Sequence, residues 1–70
     1  MIVSVFRTSI CPSDIAFLST IFDKIHAIHK WNTDLEDCDN ILRIVSYKDI
    51  ADSIINILAE QGYHIQELEE

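Results

Sequence analysis

The chain has 70 residues, of which 12 are acidic and 5 basic, for a formal net charge of -7. That length allows one small domain and excludes multidomain enzymes and the large catalytic folds. Nucleic acids and anionic membranes bind clustered Lys and Arg, so the scattered cations of this chain predict neither as a partner. No apolar run approaches the roughly 20 residues that span a bilayer. No export signal is visible either, and the predicted location is the cytoplasm, where thiols stay reduced.

The first part of the chain reads as a strand followed by a helix. Residues Ile2 to Arg7 are mostly β-branched or aromatic, which is typical of a strand. Ser13 or Asp14 can then cap a helix by accepting a hydrogen bond from a free amide of its first turn. Apolar residues at spacings of three and four predict a helix from Ile15 to about Ala27.

The middle of the chain reads as a β-hairpin. Trp31 to Leu35 alternates, with Trp31 and Thr33 on one face of the strand. Ile41 to Val45 forms the second strand, and Glu36 to Asn40 is the polar turn between them.

A second amphipathic helix and a short strand complete the domain. The helix is predicted over Asp49 to Gln61, and Gly62 stands where a left-handed residue ends a helix, because glycine has no Cβ to clash there. The last strand is predicted over Tyr63 to Leu68.

The resulting order, β-α-β-β-α-β, predicts an α+β ferredoxin-like domain over residues 1–70. Two helices would cover one face of a four-stranded antiparallel sheet. The third strand is expected between the first two, and three loops are expected at one end of the sheet. These are the loop after the first strand, the hairpin turn, and the loop before the last strand.

Several short motifs carry a resemblance to a known family. The loop Ser9-Ile10-Cys11-Pro12-Ser13-Asp14 is followed by Leu18, and Ala27-Ile28, Thr33-Asp34-Leu35 and Gly62-Tyr63 come later at suitable intervals. In these residues the chain resembles the heavy-metal-associated domain, the small copper-chaperone-like module, over nearly its whole length. The family loop reads Met-x-Cys-x-x-Cys. Ser9 stands at its Met position, Cys11 at its first Cys and Asp14 at its second.

The resemblance implies a metal loop that has lost one thiolate. Soft thiolates select Cu(I), and one thiolate with one carboxylate cannot reproduce a two-thiolate site. The resemblance therefore implies Cys11 as a candidate ligand, Asp14 as a weaker one, and at most weak binding of Cu(I) or Zn(II), including between two chains of a homodimer. Cys38 reads as an ordinary turn residue, because the first two strands would lie roughly 10 Å apart.

The uncovered face of the sheet offers an alternative function. If Val3, Val5, Leu42 and Ile44 face the helices, then Ile2, Phe6, Ile41 and Val45 face outwards. The apolar alternation is not clean, so the reverse facing stays open. An apolar face on a small domain often marks a binding surface. Phe6, Ile41 and Val45 are the candidate residues for binding a protein partner.

Three functions therefore remain, none of them enzymatic, and the third is a redox-sensing thiol at Cys11. The chain has no nucleophile elbow and no glycine-rich phosphate loop, so no catalytic activity is predicted. His26 and His29, predicted at the end of the first helix, lie far from Cys11 and suit a helix C-terminus. The expected function is that of a small domain of metal-trafficking ancestry. The alternative is a protein-interaction or regulatory module that has lost metal binding.

Overall fold

A computed structural model describes residues 1–36 and 40–68 and shows four antiparallel strands in one open sheet, with the order β2-β3-β1-β4. The elements are β1 (Ile2–Thr8), a 3-10 turn (Pro12–Asp14), α1 (Ile15–Phe22), β2 (Ile28–Asp34), β3 (Ile41–Ser46), α2 (Ala51–Glu60) and β4 (Ile65–Leu68). The predicted ferredoxin-like α+β fold is confirmed, as is the place of β3 between β1 and β2.

The side chains of β1 face the opposite way from the first of the two alternatives, which placed Val3 and Val5 towards the helices. Phe6 lies opposite Leu42 in the β1–β3 ladder, and both side chains are fully buried in the core. Val3, by contrast, is 57% exposed. Side chains alternate between the two faces of a strand, so Phe6 points into the core and Val3 and Val5 point away from the helices. The prediction that Phe6 lies on the open face is therefore wrong.

The helix layer supplies the rest of the core. Leu18 and Phe22 of α1 and Ile54 and Leu58 of α2 are buried against the sheet. The ring of Phe22 also meets Trp31 of β2 edge-on, with centroids 4.9 Å apart. Such edge-to-face pairs add to the stabilisation that burial provides.

Helix α1 ends at Phe22 and not at Ala27 as predicted. Tight turns replace the regular helical hydrogen bonds there, since Lys24 N donates to Ile21 O and Ile25 N donates to Phe22 O. The chain then enters β2 at Ile28, earlier than the predicted start at Trp31. Ile25 still packs on the core from the turn, which is why its spacing imitated a longer helix.

Helix α2 ends at Glu60, one residue before the predicted end at Gln61, and Gly62 takes the left-handed position after it as predicted. The backbone of Gly62 has φ +90, and its N–H donates to Ala59 O. The next amide, of Tyr63, donates to Leu58 O. This pair of bonds is the Schellman motif, which requires a left-handed residue and favours glycine.

Two further sequence predictions concern the hairpin turn and the membrane. The centre of the turn, including Cys38, lies outside the described residues, although Thr8 Oγ1 donates to Asn40 O at its edge over 2.7 Å. Within residues 1–36 and 40–68, neither helix has the length and apolar character that a membrane crossing needs.

The phase of β1 predicts opposite responses at Phe6 and Val3. Phe6→Ala leaves a cavity in the core and should cost about 3–5 kcal/mol of unfolding free energy. Val3→Ala, in the same strand, should cost less than about 1 kcal/mol, the range of strand propensity alone. Urea denaturation measures both. Equal losses in the two variants would contradict the assigned faces.

Candidate functional site

The loop after β1 and the loop before β4 are joined at one end of the sheet, as predicted. Ser9 N donates to His64 O over 3.0 Å, and His64 N donates to Ser9 Oγ over 2.9 Å. These two bonds link positions far apart in the sequence and bring Cys11 to the same end of the domain as Tyr63.

Cys11 stands directly before the 3-10 turn that leads into α1. Its backbone is extended, as the following Pro12 requires. Cys11 N donates to Asp14 Oδ2 over 2.9 Å, and Asp14 N donates to Cys11 O over 2.9 Å. The Asp14 carboxylate thus caps the start of the turn, a local role that accounts for an acidic residue at this position. The thiol of Cys11 is exposed.

Tyr63, in the loop before β4, lies at this end of the domain, as predicted. Burial raises the pKa of the Tyr63 phenol, and a hydrogen bond to Asp14 raises it further. The negative charges of Asp14 and of the Cys11 thiolate act in the same direction, because they oppose a phenolate nearby. The signal in the sequence was Gly62-Tyr63, since the Schellman motif at Gly62 directs the chain back towards the Cys11 loop.

The arrangement brings Cys11 and Asp14 together but gives them no further ligand. Among residues 1–36 and 40–68, no three His, Cys, Asp or Glu side chains lie where they could hold a metal ion. Among the described residues at this end of the domain, Cys11 is the one exposed thiol that a soft cation could bind.

The prediction that His26 and His29 lie at the C-terminus of a helix is wrong. His29 belongs to β2, and its Nδ1 lies 2.9 Å from the hydroxyl of Tyr47. The two rings also meet edge-on, with centroids 5.4 Å apart. His26 lies in the turn before β2. The prediction failed because α1 ends at Phe22.

The open face of the sheet is the second candidate site, and the strand registers define its composition. Residues that pair directly across strands point to the same face. Three rows result: Lys30, Val45 and Val3; then Asn32, Arg43, Val5 and Leu68; then Asp34, Ile41, Arg7 and Gln66. We call these side chains the open face.

The open face has an apolar centre that differs in part from the predicted one. Val45 lies on it and is half-buried, as predicted. Ile41 takes a position on it but is only 7% exposed. Val3 and Val5 belong to the centre, as in the reverse facing of β1 that the sequence left open, because both alternating positions of β1 carry apolar residues. Leu68 also belongs to it and was not named as a candidate. Val3 is the most exposed of them.

The open face also concentrates positive charge on an acidic protein. Three of the 5 basic residues, Arg7, Lys30 and Arg43, occupy positions on it. Of the acidic residues that the structure describes, only Asp34 shares the face, because Glu67 pairs with Phe6 on the opposite side of the sheet. The sheet therefore separates a cationic face from the other surfaces of a chain whose net charge is -7.

Comparison with known proteins adds no relative. No family model matches the chain, and no curated protein or solved structure is similar enough to count as a match. The resemblance to the heavy-metal-associated domain stays a prediction carried by the residues quoted above.

The contact between Tyr63 and Asp14 predicts a late tyrosine titration. The chain has two tyrosines, so Tyr47→Phe isolates the Tyr63 signal in an ultraviolet absorbance titration. The phenol should ionise above its ordinary value of 10.0, and Asp14→Asn, which keeps a capping residue, should lower the midpoint towards that value. Because the pKa is higher in the folded state, the linked stabilisation is complete below pH 10 and is lost as the pH rises through the raised value.

Asp52→Asn in the first turn of α2 is the control for a general change of charge, and it should leave the Tyr63 midpoint unchanged. An ordinary midpoint in the parent protein, or the same midpoint after Asp14→Asn, would contradict the contact.

Proposed function

We propose that this domain is a protein-interaction module that binds its partner through the open face of the sheet. The observation that carries the proposal is the apolar centre formed by the exposed Val3 and the half-buried Val5, Val45 and Leu68. These side chains are contiguous, because Val3 pairs with Val45 and Val5 pairs with Leu68 in adjacent rows. Contiguous apolar patches on small domains commonly mark interaction surfaces.

The edges of the sheet support binding on the face more than pairing along an edge. The ladder between β2 and β3 shifts register between Ile28 and Lys30, and such irregularities blunt an edge strand against pairing with another chain. The opposite edge is β4, a strand of only 4 residues. The face is wider, since four strands at about 4.8 Å spacing span roughly 15–20 Å.

Selection from a random peptide display library tests the proposal without a known partner. Peptides retained by the parent protein should be lost with Val3→Glu, which places a carboxylate in the apolar centre. They should be retained by Phe17→Glu, which makes the same change at an exposed position of α1. Chemical-shift mapping of selected peptides should then locate their site on β1, β3 and β4. Binders that map to the Cys11 loop or to the helices would contradict the proposal.

A second candidate function is weak binding of a soft metal between two chains. The observation that favours it is the exposed Cys11 thiol, which lies beside the Asp14 carboxylate that accepts a hydrogen bond from the Cys11 backbone. Cu(I) accepts two thiolates, and a second copy of the chain supplies the missing one. The negative charge of each copy opposes this pairing, and salt screens the repulsion.

The metal function predicts one Cu(I) per two chains and a dimer population that rises with metal and with salt. Cys11→Ser should abolish both, whereas Cys38→Ser should leave them intact. Sedimentation of the reduced protein with Cu(I), and in parallel with Zn(II), measures the outcome. A protein that stays monomeric and metal-free at excess Cu(I) would exclude this function.

A further inference from the structure

We infer that the partner of the open face is an acidic amphipathic helix. The inference rests on the proposed function and names the chemistry of the partner. It starts from the arrangement of charge around the apolar centre. Lys30 is paired with Val45, and Arg43 lies between Asn32 and Val5 in the next row. Two exposed cations thus border the apolar centre on its β2 and β3 side.

Lys30 and Arg43 are the cations that a ligand can engage. Neither has an ion pair or a side-chain hydrogen bond with any residue that the structure describes, whereas Arg7 already has an interaction of its own. A ligand that covers Val45 and Val5 passes within reach of both charges. A carboxylate at that border gains an ion pair, and an ammonium group there meets repulsion.

The shape of the face favours a helix as the occupant. A helix with side chains is about 10–12 Å across, which fits over the central strands. The opposite face of the same sheet is already covered by α1 and α2 through Leu18, Ile54 and Leu58. A helix that presents apolar residues at spacings of three and four can cover Val3, Val5 and Val45, with acidic residues along its flank directed at Lys30 and Arg43.

The aliphatic character of the face favours this partner over a nucleic acid. Proteins that bind single strands on a sheet stack the bases on aromatic side chains. The three rows of the open face contain no aromatic side chain, because Phe6 and Trp31 occupy core-facing positions of β1 and β2. Tyr47, which is 60% exposed, directly follows β3 and lies beyond these rows. The net charge of -7 also opposes a polyanion. The local cations suit a short acidic segment better than an extended phosphate backbone.

Three synthetic peptides test the inference. Each has about 18 residues, above the length at which isolated helices are marginal, and carries Leu at helical spacing. Their polar flank is Glu in the first, Gln in the second and Lys in the third. The Glu peptide should bind with shift changes on β1 and β3, the Gln peptide more weakly, and the Lys peptide not detectably. Added salt should weaken the binding of the Glu peptide and leave the binding of the Gln peptide nearly unchanged.

Matched variants of the protein locate the charges responsible. Lys30→Gln with Arg43→Gln removes the two cations of the open face, and Lys24→Gln with Lys48→Gln removes two exposed cations elsewhere, so the net charge falls equally. The first pair of substitutions should weaken the binding of the Glu peptide about two- to fivefold for each cation removed. The second pair should have little effect. Equal losses from both pairs, or equal binding of the Glu and Lys peptides, would overturn the inference.

The outcomes also separate the inference from the proposed function. Equal binding of the Glu and Gln peptides at the open face would refute the acidic partner while leaving the face as an interaction surface. Tighter binding of a labelled single-stranded RNA than of the Glu peptide would overturn the inference in favour of a nucleic acid. A helix-breaking Pro in the centre of the Glu peptide should weaken binding, and unchanged affinity would refute the helical partner.

Discussion

The register between β1 and β3 is the constraint on which the rest of the structure depends. Phe6 opposite Leu42 and Ser4 opposite Ile44 place one set of β1 side chains under the helices. The same pairing places Val3 and Val5 on the uncovered side. A slip of one residue would exchange the two sets, because side chains alternate along a strand. The core and the composition of the open face are therefore two consequences of one ladder.

The end of the domain that carries Cys11 follows from local backbone chemistry. Pro12 keeps Cys11 extended, Asp14 caps the turn that follows, and the left-handed Gly62 returns the chain so that Tyr63 lies near enough to Asp14 for its charge to raise the pKa of the phenol. Each of these residues satisfies a geometric or hydrogen-bonding need. This accounts for Asp14 without a metal, and the Cys11 thiol is exposed beside it.

The sequence predicts an element correctly where local chemistry decides its structure. The predictions failed where two patterns overlap in one segment. Gly62 was assigned correctly because a left-handed helix end favours glycine. The phase of β1 stayed open because Ile2, Val3, Val5 and Phe6 are apolar in both phases, while Ser4 on the core side runs against the usual pattern. The contact of Tyr63 with Asp14 and the rows of the open face depend on pairing between distant segments, which periodicity within one segment does not encode.

Strand β1 presents Val3 to solvent and Phe6 to the core, and this facing creates the open face. Solvent paramagnetic relaxation measures this directly, with a soluble gadolinium chelate and methyl and aromatic NMR signals. We expect fast relaxation of the Val3 methyl groups and slow relaxation of the Phe6 ring and of the Leu42 and Ile44 methyl groups. Shielded Val3 methyl groups together with a fast-relaxing Phe6 ring would show that β1 faces the other way.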